Sequence, residues 1–238
     1  MKVTLIIAFY DQYQEWPYVL EGIRWQTVQP HQILLAIDHS SQQAPVFGDL
    51  PGRVVRSASE HDGVYSRGAA LNAAFAKCQG DVIVTTDADC ILSPRLIETY
   101  KGIYEGKLRA WTYTVHDTGK RQIITAIPGQ EMYIGARHWI PKPEKLPGPD
   151  AKWLALDALS SHDRRGFRGK PDGGASVWGC NMAFTSKALE LEPEFKPEGK
   201  HQDAKWYHAM EKYGWEARPS PDQCAVLHMG PNFEGAYY

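Results

Sequence analysis

The chain has 238 residues, 43% hydrophobic and 23% charged, with a formal net charge of −2 and a pI of about 6.5. That length suits one large α/β domain or two small ones, and the composition excludes a disordered or fibrous chain. The near-neutral balance excludes a global basic field that would draw the protein to nucleic acid or anionic membrane. The four cysteines, Cys78, Cys90, Cys180 and Cys224, form no CxxC pair and fit no zinc-site spacing, so they read as reduced thiols of a cytoplasmic protein. No apolar run approaches the roughly 20 residues of a membrane span. The expectation is a soluble chain, with peripheral membrane contact left open.

Val3 to Phe9 is a continuous apolar, β-branched run and reads as a strand buried on both faces. Trp16 to Trp25 reads as a helix with Pro17 in its first turn. Ile33 to Ile37 is a second buried strand ending at Asp38, and Val54-Val55 marks a short third. Ser66 to Cys78 predicts a small-residue helix, with Gly80 as its C-terminal stop. Val82 to Thr86 predicts a fourth strand ending at Asp87, and Ser93-Pro94 opens a helix to about Gly106, Ser93 capping it. Pro128 to Pro149 reads as loop, and so does the basic, Gly-rich stretch His162 to Gly174. Val177 to Thr185 reads as a strand, Asp203 to Tyr213 as an amphipathic helix, and Ala225 to Leu227 as a short strand leading into His228.

Alternation of strands and helices in the first half predicts a mostly parallel sheet with helices on both faces. Ligands of such open sheets bind at the carboxyl ends of the strands. Tyr10-Asp11, Asp38 and Asp87-Ala88-Asp89 all follow strands directly. No Gly-rich phosphate loop is present, so a nucleotide diphosphate would have to be held another way. Two carboxylates one residue apart at a strand end can face a hard cation, magnesium or manganese, that bridges to phosphate oxygens. A D-x-D pattern alone is equally a solvated turn.

The order of elements is more specific than any one of them. Leu5 to Tyr10, Trp25-Gln26-Thr27-Val28-Gln29-Pro30, Ile37-Asp38-His39-Ser40, Arg67-Gly68-Ala69-Ala70-Leu71-Asn72, Gly80-Asp81 and Thr86-Asp87-Ala88-Asp89 follow one another. In that order and spacing they resemble the nucleotide-binding half of family-two GT-A glycosyltransferases. Trp178-Gly179-Cys180-Asn181-Met182-Ala183-Phe184 resembles the segment near the acceptor site of these enzymes. Gln202-Asp203 stands where they commonly have Glu-Asp, and Leu227-His228 resembles a late metal-binding His. The resemblance implies a GT-A, Rossmann-like α/β fold with a smaller, irregular acceptor-side region. It implies a single domain over 1–238, with a nucleotide-binding half to 106 and an acceptor half from 107.

The resemblance also implies roles. Asp89, with His228 as a further ligand, would hold a divalent metal, manganese or magnesium, and Asp87 would lie near the ribose or the metal. Asp38 would accept from the base ring, Tyr10 and the Ala8 backbone would flank it, and Arg67 would reach the base or diphosphate. Ile37 stands where the family often has a second acid, which leaves Asp38 as the sole acidic residue at that place. Trp178, Asn181 and Gln202 would line the sugar or acceptor pocket. Asp203 would be the general base for an inverting transfer of a hexose or N-acetylhexosamine from a nucleotide sugar, a UDP-sugar first, to a glycan or other hydroxyl acceptor. The loop with Arg164, Arg165, Arg168 and Lys170 could clamp a diphosphate or a polyanionic acceptor, or simply be solvated. Two alternatives stay open: a catalytically weak nucleotide-sugar-binding module, favoured only by Gln202, and a transferase acting on a hydroxyl of a modified nucleic acid base. A pyrophosphorylase is disfavoured, since Phe9-Tyr10-Asp11-Gln12 lacks the Gly-rich, Arg-containing loop.

Overall fold

A computed structural model describes residues 1–38, 43–57, 66–114, 121–125, 131–135, 137–141, 180–192, 194–195, 202–221 and 224–230. Among them the first half runs β1 (Val3–Phe9), α1 (Trp16–Arg24), β2 (Gln32–Ile37), β3 (Gly52–Arg56), α2 (Arg67–Phe75), β4 (Val82–Asp87), β5 (Cys90–Leu92) and α3 (Leu96–Tyr104). The second runs β6 (Ala110–Thr114), β7 (Arg121–Thr125), β8 (Glu131–Ile134), β9 (Arg137–Pro141), β10 (Asn181–Thr185), α4 (Lys187–Leu191), α5 (Gln202–Glu211), β11 (Glu216–Pro219) and β12 (Val226–Gly230). Seven strands make the central sheet in the order β11-β8-β10-β4-β1-β2-β3. β1 to β4 are mutually parallel, and β10 alone runs against its neighbours β4 and β8. The expected mostly parallel α/β sheet is therefore what the chain forms.

Helices cover both faces. Leu5, Ile7 and Phe9 of β1 join a core with Val19, Leu20 and Ile23 of α1 and Leu96, Ile97 and Tyr100 of α3. Ile6 and Ala8 turn the other way, into a core with Leu71, Ala74 and Phe75 of α2 and Trp206, Tyr207 and Met210 of α5. Each branched side chain so buried contributes about 1.5–3 kcal/mol relative to exposure. Both faces of β1 are apolar, so its register follows from how its side chains fit the two cores, together with polar contacts at its amino end. Thr4 Oγ1 donates to Gln32 Oε1 at 2.8 Å and accepts from the Gly80 N–H at 2.9 Å, while the Lys2 N–H meets Asp81 Oδ2 at 2.7 Å.

Several sequence expectations shift. Gly80 is not the helix stop: α2 ends at Phe75, and a Cβ at Gly80 would lie 2.5 Å from the Thr4 nitrogen, so this glycine serves close strand approach. The helix expected from Ser93 starts at Leu96, with Arg95 as its N-cap and no side-chain cap. Pro128 to Pro149, read as loop, contains β8 and β9. These strands are short and find their partners far along the chain, so no local periodicity announces them. β9, β12 and β5 form a separate small sheet in the order β5-β12-β9, which carries His228. Among the described residues no helix is long and apolar enough to cross a membrane.

Candidate active site

β1, β2 and β4 end side by side at Phe9, Ile37 and Asp87, and the polar residues that follow share that edge. Past Asp87 the chain turns through Ala88, whose N–H donates to the Ala8 carbonyl at 2.9 Å, and returns as β5. β5 pairs antiparallel with β12 so that Cys90 stands opposite His228. The Met229 N–H donates to the Asp89 carbonyl at 2.8 Å, which pins the turn to β12. Asp89 Oδ2 comes 3.4 Å from His228 Nε2, with side chains 20% and 13% exposed. Asp89, Cys90 and His228 offer ligand atoms that all lie within 4.8 Å of one another; Asp87 lies outside this group.

Burial, reinforced by the neighbouring Asp87 charge, pushes the Asp89 carboxyl up to about 7, against a small opposing effect of the Cys90 thiol that donates to it. Burial likewise pushes the Cys90 thiol well up. A cation here would compensate the charge that burial and Asp87 penalise on Asp89. An ion about 2.0–2.2 Å from each of two ligands spans a separation of 3.4 Å, so Asp89 and His228 fit one divalent ion as they stand. The residues thus fit a metal on geometry and on electrostatics.

The other half of the site gathers at the amino end of α2. Ser66 is its N-cap, accepting from the Ala69 N–H. Asp38 is buried and accepts from the Ser66 N–H at 2.6 Å and from the Ser57 hydroxyl, which ties the ends of β2 and β3 to the start of α2. Arg67 Nε donates to Asp87 Oδ1 at 2.7 Å. The Gly68 N–H donates to Gln202 Oε1 at 2.7 Å, so the first residue of α5 caps α2 from across the sequence. Asp203 follows, half-buried, its Oδ1 accepting from the Ala204 N–H at 2.9 Å. Tyr10 is exposed, and its N–H donates to Gln12 Oε1.

Two residues expected to line a pocket are engaged by hydrogen bonds within the protein. Asn181 is 1% exposed: its Oδ1 accepts from the Tyr100 hydroxyl at 2.8 Å and its Nδ2 donates to the Cys224 carbonyl at 2.7 Å. A buried amide satisfied on both ends bolts β10 to α3 and to the chain before β12. Gln202 presents its carbonyl oxygen to α2 rather than to a cavity. Trp178 and the basic quartet Arg164, Arg165, Arg168 and Lys170 lie outside the described residues. Cys90 was missed in the sequence. Its place next to the D-x-D was visible, but its pairing with His228 was not, because the two strands are distant in the chain.

Residues 4–110 match the model of the family described as Glycosyltransferase like family 2. Over 96 residues the chain is 35% identical to the O-antigen chain rhamnosyltransferase RfbN of Salmonella typhimurium, and over 101 residues 30% identical to the uncharacterized glycosyltransferase YwdF of Bacillus subtilis. Those matches cover 39% and 41% of this chain but only 30% and 36% of the relatives, so the chain aligns with about a third of their length. Among solved structures, TarS of S. aureus in complex with UDP-GlcNAc superposes with a TM-score of 0.62 at 12% identity, covering 100% of this chain and 62% of that one. The mannosyltransferase PcManGT of Pyrobaculum calidifontis, in complex with GDP-Man and Mn2+, superposes with a TM-score of 0.57 at 18% identity, covering 98% and 58%. Residues 4–110 are therefore similar to the family-two glycosyltransferase segment, and the chain shares the GT-A fold of these solved structures.

Proposed function

We propose that the chain transfers a hexose or N-acetylhexosamine from a nucleotide sugar, a UDP-sugar first, to an acceptor hydroxyl, with inversion and with a divalent metal. The observation that carries this reading is the Asp89–His228 pair at the carboxyl edge, 3.4 Å apart, beside an Asp87 held by Arg67. The family match supports it, as do the UDP-GlcNAc of TarS and the GDP-Man and Mn2+ of PcManGT. Manganese or magnesium held by Asp89 and His228 would act as a Lewis acid for the departing diphosphate.

The chain's own residues do the remaining work. Asp38, buried at the end of β2, orients the start of α2, and with it Arg67, toward the donor; the nucleobase would pack at this corner beside Tyr10 and the Ala8 strand end. Arg67, on Asp87, sets the positive charge that meets the diphosphate. Gln202 clasps α2 and so places Asp203 at the same edge. Asp203 takes the proton of the acceptor hydroxyl, whose oxygen forms the new bond to the anomeric carbon as the bond to the diphosphate oxygen breaks. Asn181 and Gln202 support this arrangement from inside. The single-domain division at 106/107, and a role for the Arg164-to-Lys170 loop in holding an anionic acceptor, belong to the same proposal.

A thermal-shift screen of UDP-, GDP-, CDP- and dTDP-sugars, each with manganese or with chelator, tests it. We expect stabilisation by one nucleotide class that disappears with chelator. Stabilisation indifferent to metal, or none from any sugar nucleotide, would sink the metal-dependent transferase.

A further inference from the structure

Asp89 and His228 are not alone. Cys90 opens β5 directly opposite His228 on β12, and residues directly opposite on an antiparallel pair put their side chains on the same face. Cys90 Sγ donates to Asp89 Oδ1 at 3.4 Å, and Asp89 Oδ2 stands 3.4 Å from His228 Nε2. Ligand atoms about 2.0–2.3 Å from a tetrahedral ion stand roughly 3.3–3.8 Å apart. Both contacts have that length, one on each oxygen of Asp89, and with a single donor atom from each residue all three lie within 4.8 Å of one another.

The backbone holds these donors in place. β12 is the middle strand of its sheet, bonded to β5 on one side and β9 on the other, and the Met229 N–H clamps the Asp89 carbonyl. Cys90 is fully buried, whereas Asp89 and His228 keep part of their surface exposed. The triangle has a closed sulfur side and an open side. Carboxylate oxygen suits manganese and magnesium, but sulfur selects softer ions, zinc and cadmium before manganese.

We propose that Asp89, Cys90 and His228 form a mixed carboxylate, thiolate and imidazole centre that binds zinc or cadmium more tightly than manganese. The inference rests on the assignment of Asp89 and His228 to a metal and adds the third ligand and the ion class it selects. Ligation forms a sulfur–metal bond and releases the thiol proton to solvent. Zinc would then displace manganese from the transferase centre rather than support it.

Cobalt titration of the reduced, metal-free full chain tests this by absorbance, independently of turnover. The expected result is a near-ultraviolet sulfur-to-cobalt charge-transfer band that zinc abolishes on displacing the cobalt. The band should be lost in Cys90→Ser and kept in Cys78→Ser, whose thiol lies at the far end of α2. Zinc affinity in Cys90→Ser should fall at least about tenfold, while manganese affinity moves less than about threefold. Should Cys90→Ser fail to fold, cadmium titration of the unaltered chain, read by the thiolate–cadmium ultraviolet band, and of His228→Gln carries the same decision: a saturable band in the former, weakened in the latter, supports the centre. Cobalt binding without a sulfur band, or a band that persists in Cys90→Ser, overturns the proposal and leaves the Asp89–His228 metal site standing. Binding of no ion at all overturns both.

Discussion

Around Asp87 the carboxylate meets a guanidinium: Arg67 Nε donates at 2.7 Å, and the start of α2 stands behind it. Around Asp89, two residues on, the carboxylate meets a thiol, an imidazole and apolar packing, and its proton is held to about 7. The two acids of one short motif therefore face different partners. One has its charge met by a guanidinium, while burial and that neighbouring charge favour the neutral form of the other. A D-x-D motif need not be two equivalent metal ligands, and the turn through Ala88 is what separates them.

The largest effect expected from this contrast is on pH dependence. A carboxyl held near 7 in the fold, against about 3.9 in the unfolded chain, is protonated in the native state over a window where the unfolded state has released its proton. Stability of the metal-free protein should accordingly fall as pH rises from about 4 through 7, by a few kcal/mol for this one group. Asp89→Asn should remove that fall, raising metal-free stability at pH 8 and leaving it nearly unchanged at pH 4, while abolishing manganese-dependent donor binding. Urea unfolding with chelator across that range checks it; wild type and variant running parallel throughout would show that Asp89 is not held protonated.

A smaller loss should follow at the other acid. Arg67→Ala leaves Asp87 without its guanidinium and should cost about 1–3 kcal/mol, and Arg67→Lys should restore only part, since the amine does not reproduce the Nε geometry. Manganese affinity, measured by calorimetry, should not weaken in Arg67→Ala. If it collapses, the two carboxylates act as one unit.

The smallest effect concerns the clasp between halves. Gln202→Ala removes the acceptor from the Gly68 N–H and should cost about 1 kcal/mol. Gln202→Glu keeps an acceptor and adds negative charge at a helix amino end, so it should be neutral or stabilising by a few tenths of a kcal/mol. Denaturant midpoints distinguish the pair; equal losses would mean that the side chain, not the bond, matters.

Much of this site could be read directly from residue order. The buried strand Val3–Phe9, its partner ending at Asp38 and the strand ending at Asp87 placed three polar corners on one edge, because continuous apolar runs report strands buried on both faces. The late His was legible only by resemblance. Its proximity to Asp89 depends on β12 lying against β5, a pairing with no local signature. Asn181 misled for a related reason. Resemblance of its segment to an acceptor-site motif implied a pocket role, whereas its amide spans from the Tyr100 hydroxyl to the Cys224 carbonyl in the interior.

Residue order alone thus determined the layered α/β architecture and the edge where ligands would bind, since hydrophobic periodicity and strand-terminal acids are local properties. Tertiary structure alone decided which acid pairs with Arg67, that Cys90 faces His228, and that Gln202 spends its carbonyl oxygen on α2. Each of those outcomes turns on contacts between segments far apart in the chain, and only the folded backbone fixes their register.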